Sequence, residues 1–480
     1  MVIALDVGTS SARAALYDPA GRPVTGRFYQ VQYEPTTTPD GGVEHDAARL
    51  LEAVGGCLDR LHAGPRLGEV LGVGVTTFWH GLLGFDASGR PATPVYMWAD
   101  SRSAGDAALL RSALDEETLH ARTGCHLHSS YWPAKLRWLA RERPSDTGRV
   151  ARWGSFGEYL ELTLFGDAAT SLSMASGTGL LDQERSRWDA EAVAAAGVEE
   201  TQLFRLGDRT QPRRGLRTAW AERWPALRTT PWFPAVGDGA ASSVGSDCVD
   251  TRRIALNVGT SAALRVVTGA PVAPPRGLWR YCIDRRLSML GGATSEGGNV
   301  YAWCRETLKL PDDAGLEAAL ELLPPDSHGI TVLPFLAGER APGWRGDRRA
   351  AILGLSLGTT AIEIVRAALE AVALRLALVY ALLGPHAATD HTVVASGGAL
   401  GRSRAWTQII ADALGRPITW STEKEATSRG AALLALHALG VLDDLGAVQA
   451  PLSTTFQPDP ARHARYREAL ERQRRLYERV

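Results

Sequence analysis

Little in this 480-residue sequence is in excess, and the shortages narrow what it does. The five cysteines, Cys57, Cys125, Cys248, Cys282 and Cys304, are scattered, odd in number and without a Cys-x-x-Cys pair. That excludes a disulfide framework and fits the reduced thiols of a cytoplasmic protein. Net charge is −1, so there is no overall electrostatic footprint for nucleic acid or an acidic membrane surface. No long uncharged apolar run occurs. The nearest, residues 364–383, contains Arg366, Glu370 and Arg375, whose transfer into hydrocarbon would be costly, and it reads as a buried core helix. Met1 leads directly into a strand-like run, with no basic stretch followed by an apolar region and a cleavage site, so no targeting segment is expected. A Gly-x-x-x-x-Gly-Lys-Ser/Thr loop is missing, and Gly397-Gly398-Ala399-Leu400-Gly401 lacks the spacing of a dinucleotide-binding turn. Both common nucleotide folds therefore lose ground.

What is present is a repeat. Ile3-Ala4-Leu5-Asp6-Val7-Gly8-Thr9-Ser10-Ser11-Ala12 returns as Ile254-Ala255-Leu256-Asn257-Val258-Gly259-Thr260-Ser261-Ala262-Ala263, with eight of ten positions identical. Each copy is an apolar run that breaks at Gly and hydroxyl residues and resumes as a second β-prone run. This is the pattern of a hairpin whose turn offers N–H and O–H donors to an anion. A repeat at half the chain length is too long for a solenoid and indicates two related domains, as the overall length also does.

The division expected is residues 1–235 and 236–480. In the first part a helix over 42–61, with Leu50, Leu51, Val54 and Leu58 on one side, alternates with strands at 70–76 and 82–85, the mark of an α/β layered domain. Residues 114–197 read as mostly helical and 205–228, rich in Arg and Pro, as a surface connection. In the second part Thr360-Ala361-Ile362-Glu363 has capping-box spacing and predicts a long helix ending near Gly384-Pro385. A strand at 392–395 and a helix ending at Gly415 follow. Residues 461–480 read as a charged, solvated closing helix in which Glu468, Glu471 and Glu478 interleave with the arginines.

Several residues carry candidate chemistry. Gly8, Thr9, Ser10 and Arg13 offer donors to phosphate, although a plain hairpin turn would look similar in one copy alone. Asp6, beside that turn, suits a hydrated Mg²⁺, whereas its counterpart Asn257 carries no charge. Asp238, flanked by Gly237 and Gly239, is either a turn acid or an exposed general base, ionised at neutral pH and able to take a hydroxyl proton. Trp79-His80 and Trp98-Ala99-Asp100 offer aromatic faces with hydrogen-bonding neighbours, suited to a polyol and equally to a packed core. Cys125-His126-Leu127-His128 has half the ligands of a metal site and no second half.

Together these residues resemble the FGGY carbohydrate kinases of the actin, Hsp70 and hexokinase ATPase superfamily, across essentially the whole chain. The most specific segment is Ala350-Ala351-Ile352-Leu353-Gly354-Leu355 followed, after seven residues, by Glu363-Ile364-Val365-Arg366-Ala367-Ala368-Leu369-Glu370. The region around Ser130 retains Lys135, Leu136 and Trp138 but carries Trp132 where a smaller residue is usual. The resemblance implies two RNase H-like α/β domains closing on ATP, Mg²⁺ and a sugar, in a cytoplasmic enzyme that binds neither nucleic acid nor membrane, with a homodimer allowed. It assigns Asp238 as catalytic base, and Gly8, Thr9, Ser10 and Arg13 as the first phosphate loop. Asp6 stands beside Mg²⁺, and Gly259 and Thr260 form the second loop. Gly298, Gly397, Gly398 and Arg402 would form the nucleotide wall, and Trp79, His80, Trp98 and Asp100 the sugar pocket. Within the family, the segments 335–342, 98–102 and 173–180 are most similar to gluconokinases, then xylulokinases; Trp79-His80 replaces the Arg-Glu pair of glycerol kinases. A non-catalytic sugar sensor or actin-like ATPase module on the same fold is the alternative of another class.

Overall fold

A computed structural model describes residues 1–64, 67–269 and 272–480. The repeat forms two hairpins, each at the centre of a sheet. In the first half, β1 (Val2–Val7), β2 (Ser11–Tyr17) and β3 (Pro23–Gln32) run antiparallel, and helix α1 (Ala47–Ala63) covers them. This helix starts five residues later than its apolar spacing predicts. The Asp46 carboxylate accepts the Ala48 and Arg49 amides and so caps it there, while Val43–His45 is a strand. β4 (Gly72–Thr77) then pairs parallel with β1, aligning Thr76 with Asp6.

Residues 114–197 form a mostly helical insertion interleaved with strands of two or three residues, and include α2 (Trp132–Glu142). The segment 205–228 is not a surface connection. Its Arg209 is 2% exposed and ion-pairs with Asp284, while Leu216, Ala221, Trp224 and Leu227 are buried. An arginine-rich stretch misleads here because one guanidinium has a buried acid waiting in the other half.

The expected division at 235/236 falls inside the first sheet. β5 (Val236–Gly237) pairs parallel with β4 and completes the order β5-β4-β1-β2-β3. The chain then enters α3 (Asp238–Gly245), so the first half runs through this helix. A two-residue strand is too short to leave an apolar period in the sequence.

The second half repeats the plan. β6 (Arg253–Val258), β7 (Ala262–Thr268), β8 (Trp279–Cys282) and β9 (Ser288–Thr294) form the antiparallel side, followed by α4 (Gly298–Thr307). Helix α5 (Ala361–Leu383) opens on the expected capping box: Thr360 Oγ1 accepts the Glu363 amide and the Glu363 carboxylate accepts the Thr360 amide. By length and apolarity it would span a membrane, but most of it is buried among other elements. β10 (Thr392–Ser396), α6 (Arg404–Leu414), β11 (Ile418–Ser421), α7 (Ala426–Ala438), β12 (Leu452–Phe456) and α8 (Pro460–Arg479) follow. The second sheet has the order β8-β9-β7-β6-β10-β11-β12. Helix α7 leaves its own sheet and packs Ala431, Ala432 and Leu436 on Val2, Ala4, Ala15 and Tyr17 of the first.

Helix α8 is docked rather than solvated, with Tyr466, Ala469, Gln473 and Leu476 buried. Its anchor is Glu370 on α5, whose carboxylate accepts Arg366 Nε (2.6 Å), Tyr466 Oη (2.9 Å) and His328 Nε2 (3.1 Å). Asp326, His328 and Glu370 are close enough to hold an ion, but Arg366 and Arg472 already neutralise the two carboxylates. Removing one partner of such a buried cluster strands the others, so Glu370→Ala is expected to lower stability by about 3–5 kcal/mol in urea denaturation.

Candidate functional site

The first turn is fixed from behind. Gly8 N–H donates to Ser11 O (2.9 Å), Tyr33 Oη to Gly8 O (2.7 Å) and His45 Nε2 to Thr9 O (2.9 Å). Ser10 remains exposed. Asp6 is 1% exposed. Its Oδ2 accepts from Arg13 at 2.7 Å, and its buried Oδ1 has no partner. Burial pushes this carboxyl up to about 6, against the pull of Arg13. Arg13, expected to face phosphate, is held by Asp6 and lies 3.6 Å from Glu425. An unpartnered buried carboxylate oxygen beside a donor-rich turn fits a hydrated divalent cation.

The second turn is built alike and without charge. Gly259 N–H donates to Ser261 O (3.0 Å), and Asn257 Nδ2 to Ser396 Oγ (3.1 Å). The N-terminus of α4 rests on it through Gly298 N–H to Gly259 O (2.7 Å) and Asn299 N–H to Thr260 O (3.1 Å). Gly397 packs so closely that a Cβ there would lie 2.4 Å from Val258 O. Gly259, Thr260, Gly298, Gly397 and Gly398 thus gather at one rim, with Arg402 exposed on the helical turn beyond.

Between the turns lies a cavity of about 250 Å³, and Thr9, Trp79, His80, Trp98 and Asp238 all line it. Asp238 opens α3 immediately after β5. Asp6 stands two strands away on the same sheet, roughly 10 Å by strand spacing. The Asp238 Oδ1 accepts the Gly239 amide at 2.8 Å, and burial raises its carboxyl above the ordinary range while Arg265 pulls it back. Trp79 donates Nε1 to Ser173 O (2.9 Å) and packs on Tyr281 at 4.8 Å between ring centroids. Its indole fits only because Gly237 has no side chain: a Cβ would lie 1.9 Å from Trp79 Cε2. His80 has a left-handed backbone (φ 67) and hydrogen-bonds through Nδ1 to Gly177 O at 2.5 Å. Because a carbonyl only accepts, Nδ1 carries the proton and Nε2 a lone pair. Burial first, then Arg340, pushes His80 down to about 3, so the ring is neutral.

Asp100 does not join the cavity. It is 2% exposed, and its carboxylate takes the Val43 amide (3.2 Å) and the Arg102 guanidinium (3.1 and 2.5 Å). Trp132 is likewise enclosed in the core of the helical insertion. Conversely, Arg265, Arg340, Trp279 and Tyr281 line the cavity although the motifs did not single them out. Arg265 lies on β7 just past the repeated decapeptide, which carries no sign of its entry, whereas Arg340 sits in the 335–342 segment that resembles gluconokinases. Each has a buried Nε without a partner, and Arg340 lies 5.3 Å over the Trp98 ring.

Known proteins with these features are found by comparison. The profile of the FGGY family of carbohydrate kinases, N-terminal domain, matches residues 1–245, and that of the C-terminal domain matches residues 254–439. Gluconokinase of Bacillus subtilis (strain 168) is 27% identical over 475 residues, covering 96% of this chain and 91% of its own. Glycerol kinase of Aromatoleum aromaticum is 30% identical over 498 residues, covering 98% of each. The solved structure of ligand-bound xylulose kinase from Lactobacillus acidophilus superposes with a TM-score of 0.91 at 26% identity, covering 99% of this chain and 97% of that one.

The glycine beneath Trp79 gives a steric test. Gly237→Ala is expected to destabilise by about 1–3 kcal/mol through overpacking, and the loss should largely vanish in a Trp79→Ala background. A double-mutant cycle in urea measures this coupling; additive losses would contradict it.

Proposed function

The chain belongs to the FGGY family of carbohydrate kinases, and on that footing we propose that it phosphorylates a sugar acid with ATP, gluconate to 6-phosphogluconate being the leading reaction. The supporting observation is the pair Arg265 and Arg340, both facing the cavity with an unpartnered Nε. Among the described residues Asp238 is the one carboxylate that lines the same space. Two guanidinium groups against one acid leave a positive excess in the cavity, which a neutral polyol does not relieve and a carboxylate does. Their planar forks suit bidentate recognition of a carboxylate. The Trp79, Trp98 and Tyr281 rings flank the space and match the carbon chain of an open sugar acid.

In this reading the two turns cradle the phosphates from opposite halves. Asp6 would hold a hydrated Mg²⁺, which when bound neutralises phosphate charge. The Asp238 carboxylate accepts the proton of the attacking hydroxyl as the new oxygen–phosphorus bond forms and the bond to the ADP oxygen breaks. Its raised pKa makes it a stronger base than a surface carboxylate. The His80 Nε2 lone pair accepts from a substrate hydroxyl and so orients the chain. Closure of the halves would keep water from intercepting the phosphoryl group.

A coupled ADP-release assay over gluconate, D-xylulose, D-ribulose, L-ribulose and glycerol tests the substrate. Gluconate is expected to have the highest kcat/KM, and preference for any neutral sugar would overturn the acid reading. Arg340→Met should raise KM for gluconate about tenfold, one lost charge-assisted contact. Asp238→Asn should keep substrate binding and lower kcat by about 10²–10⁴-fold; near-normal turnover would remove it from the mechanism.

A further inference from the structure

Behind the cavity wall lies a cation that the mechanism does not use. Lys135, on α2, is 2% exposed, and its Nζ donates to Ser130 O at 2.8 Å and to His80 O at 3.4 Å. It has no carboxylate within ion-pair distance among the described residues; the acid that faces it, Asp100, is already held by Arg102. The other charged and titratable groups around it are Arg102, Arg340, His80 and His128. A buried ammonium among like charges is costly. What it holds is the carbonyl of a residue in left-handed backbone, a conformation that side chains bearing a Cβ adopt uncommonly. The His80 turn is thus pinned twice, by its ring on Gly177 O and by its carbonyl on Lys135.

We propose that Lys135 is a positioning residue whose ammonium fixes the substrate-facing turn at His80 and, with Arg340, sets the positive potential of the cavity, so that substrate affinity follows the protonation of Lys135. This rests on the reading of the cavity as the sugar-acid site. Burial, opposed by Asp100 and reinforced by Arg340 and Arg102, pushes Lys135 down to about 7. The ammonium is present below that pH and lost above it. A bound carboxylate favours the charged form, so binding takes up a proton and weakens as pH rises through about 7. If binding raises the pKa by one unit, KM changes about tenfold across the range. The neighbours do not compete there: His80 and His128 are pushed down to about 3, and Tyr131, Tyr281 and Cys125 far above their usual values. Asp238 acts on kcat and Lys135 on KM, so the two groups separate in a KM-against-kcat split.

The experiment is the pH profile of KM and kcat for gluconate from pH 6 to 9 in the wild-type protein and in Lys135→Met, which keeps the volume and removes the charge. The wild-type KM should rise about tenfold, while Lys135→Met should have a high, flat KM with kcat and ADP affinity within about twofold. A flat wild-type profile, or a variant that keeps the wild-type KM and slope, overturns the proposal. Should the variant not fold, calorimetric gluconate binding to wild type at pH 7.5 in buffers of different ionisation heat reads the same linkage. Net proton uptake supports the proposal and none overturns it. Turnover of a neutral sugar alone would overturn the acid reading instead; a flat KM profile for that sugar would then overturn the Lys135 proposal as well.

Discussion

The tightest contact between the two halves is a crossing where α3 and α7 touch backbone to backbone. A Cβ on Gly245 would lie 1.8 Å from Ala426 O, and one on Gly430 would lie 1.8 Å from Ala241 O. No other residue type fits at either place. The crossing matters because of what each helix carries. Helix α3 begins with Asp238, fed directly from the first sheet, and α7 comes from the second half yet buries its apolar face on β1 and β2 of the first. The catalytic candidate and the strand bearing Asp6 are thereby referred to the same contact. A second bridge lies across the cavity, where the Tyr131 and Tyr281 hydroxyls meet at 2.7 Å and Ser176 Oγ accepts the Cys282 amide at 2.9 Å. Relative motion of the two sheets has to proceed around these joints.

Duplication supplied two equivalent turns, and a small difference in register made them unequal. In the first hairpin Val7 pairs with Ala12 and Asp6 with Arg13. In the second, Val258 pairs with Ala262 and Asn257 with Ala263, one residue earlier than the repeat alignment implies. Because side chains alternate across a strand, this slip moves β7 to the other face relative to β2. Arg13 consequently lies beside Asp6 and cancels its charge, while Arg265 shares the face of Asn257 and Ala263 and enters the cavity. One hairpin ends as an acid with its own counter-ion, the other as a cation facing the acid of α3.

This slip also marks where sequence reasoning stops. The turns, the capping box at Thr360 and Glu363, the core helix α5 and the position of Asp238 were legible because each is written in adjacent residues. The entry of Arg265 was not, since a one-residue change of register leaves the decapeptide intact. Nor was the docking of α8, whose composition is that of a solvated helix while Tyr466 and Gln473 are claimed by partners 96 and 102 residues away. The boundary was misplaced because β5 joins the first sheet with only two residues.

Asp100 shows how a correct motif can carry the wrong role. The Trp98-Ala99-Asp100-Ser101-Arg102 segment sits at the cavity, but only Trp98 of it faces the open space. The Asp100 carboxylate neutralises Arg102, whose guanidinium lies 4.5 Å over the Trp138 ring and also meets Glu44. Asp100 further attracts the Lys135 ammonium from behind. Its removal would leave Arg102 and Lys135 as neighbouring buried cations, with the His80 turn attached to the second of them. An acid outside the cavity therefore bears on the shape and potential of the cavity itself. The electrostatic support of this cavity reaches one layer further into the protein than its lining.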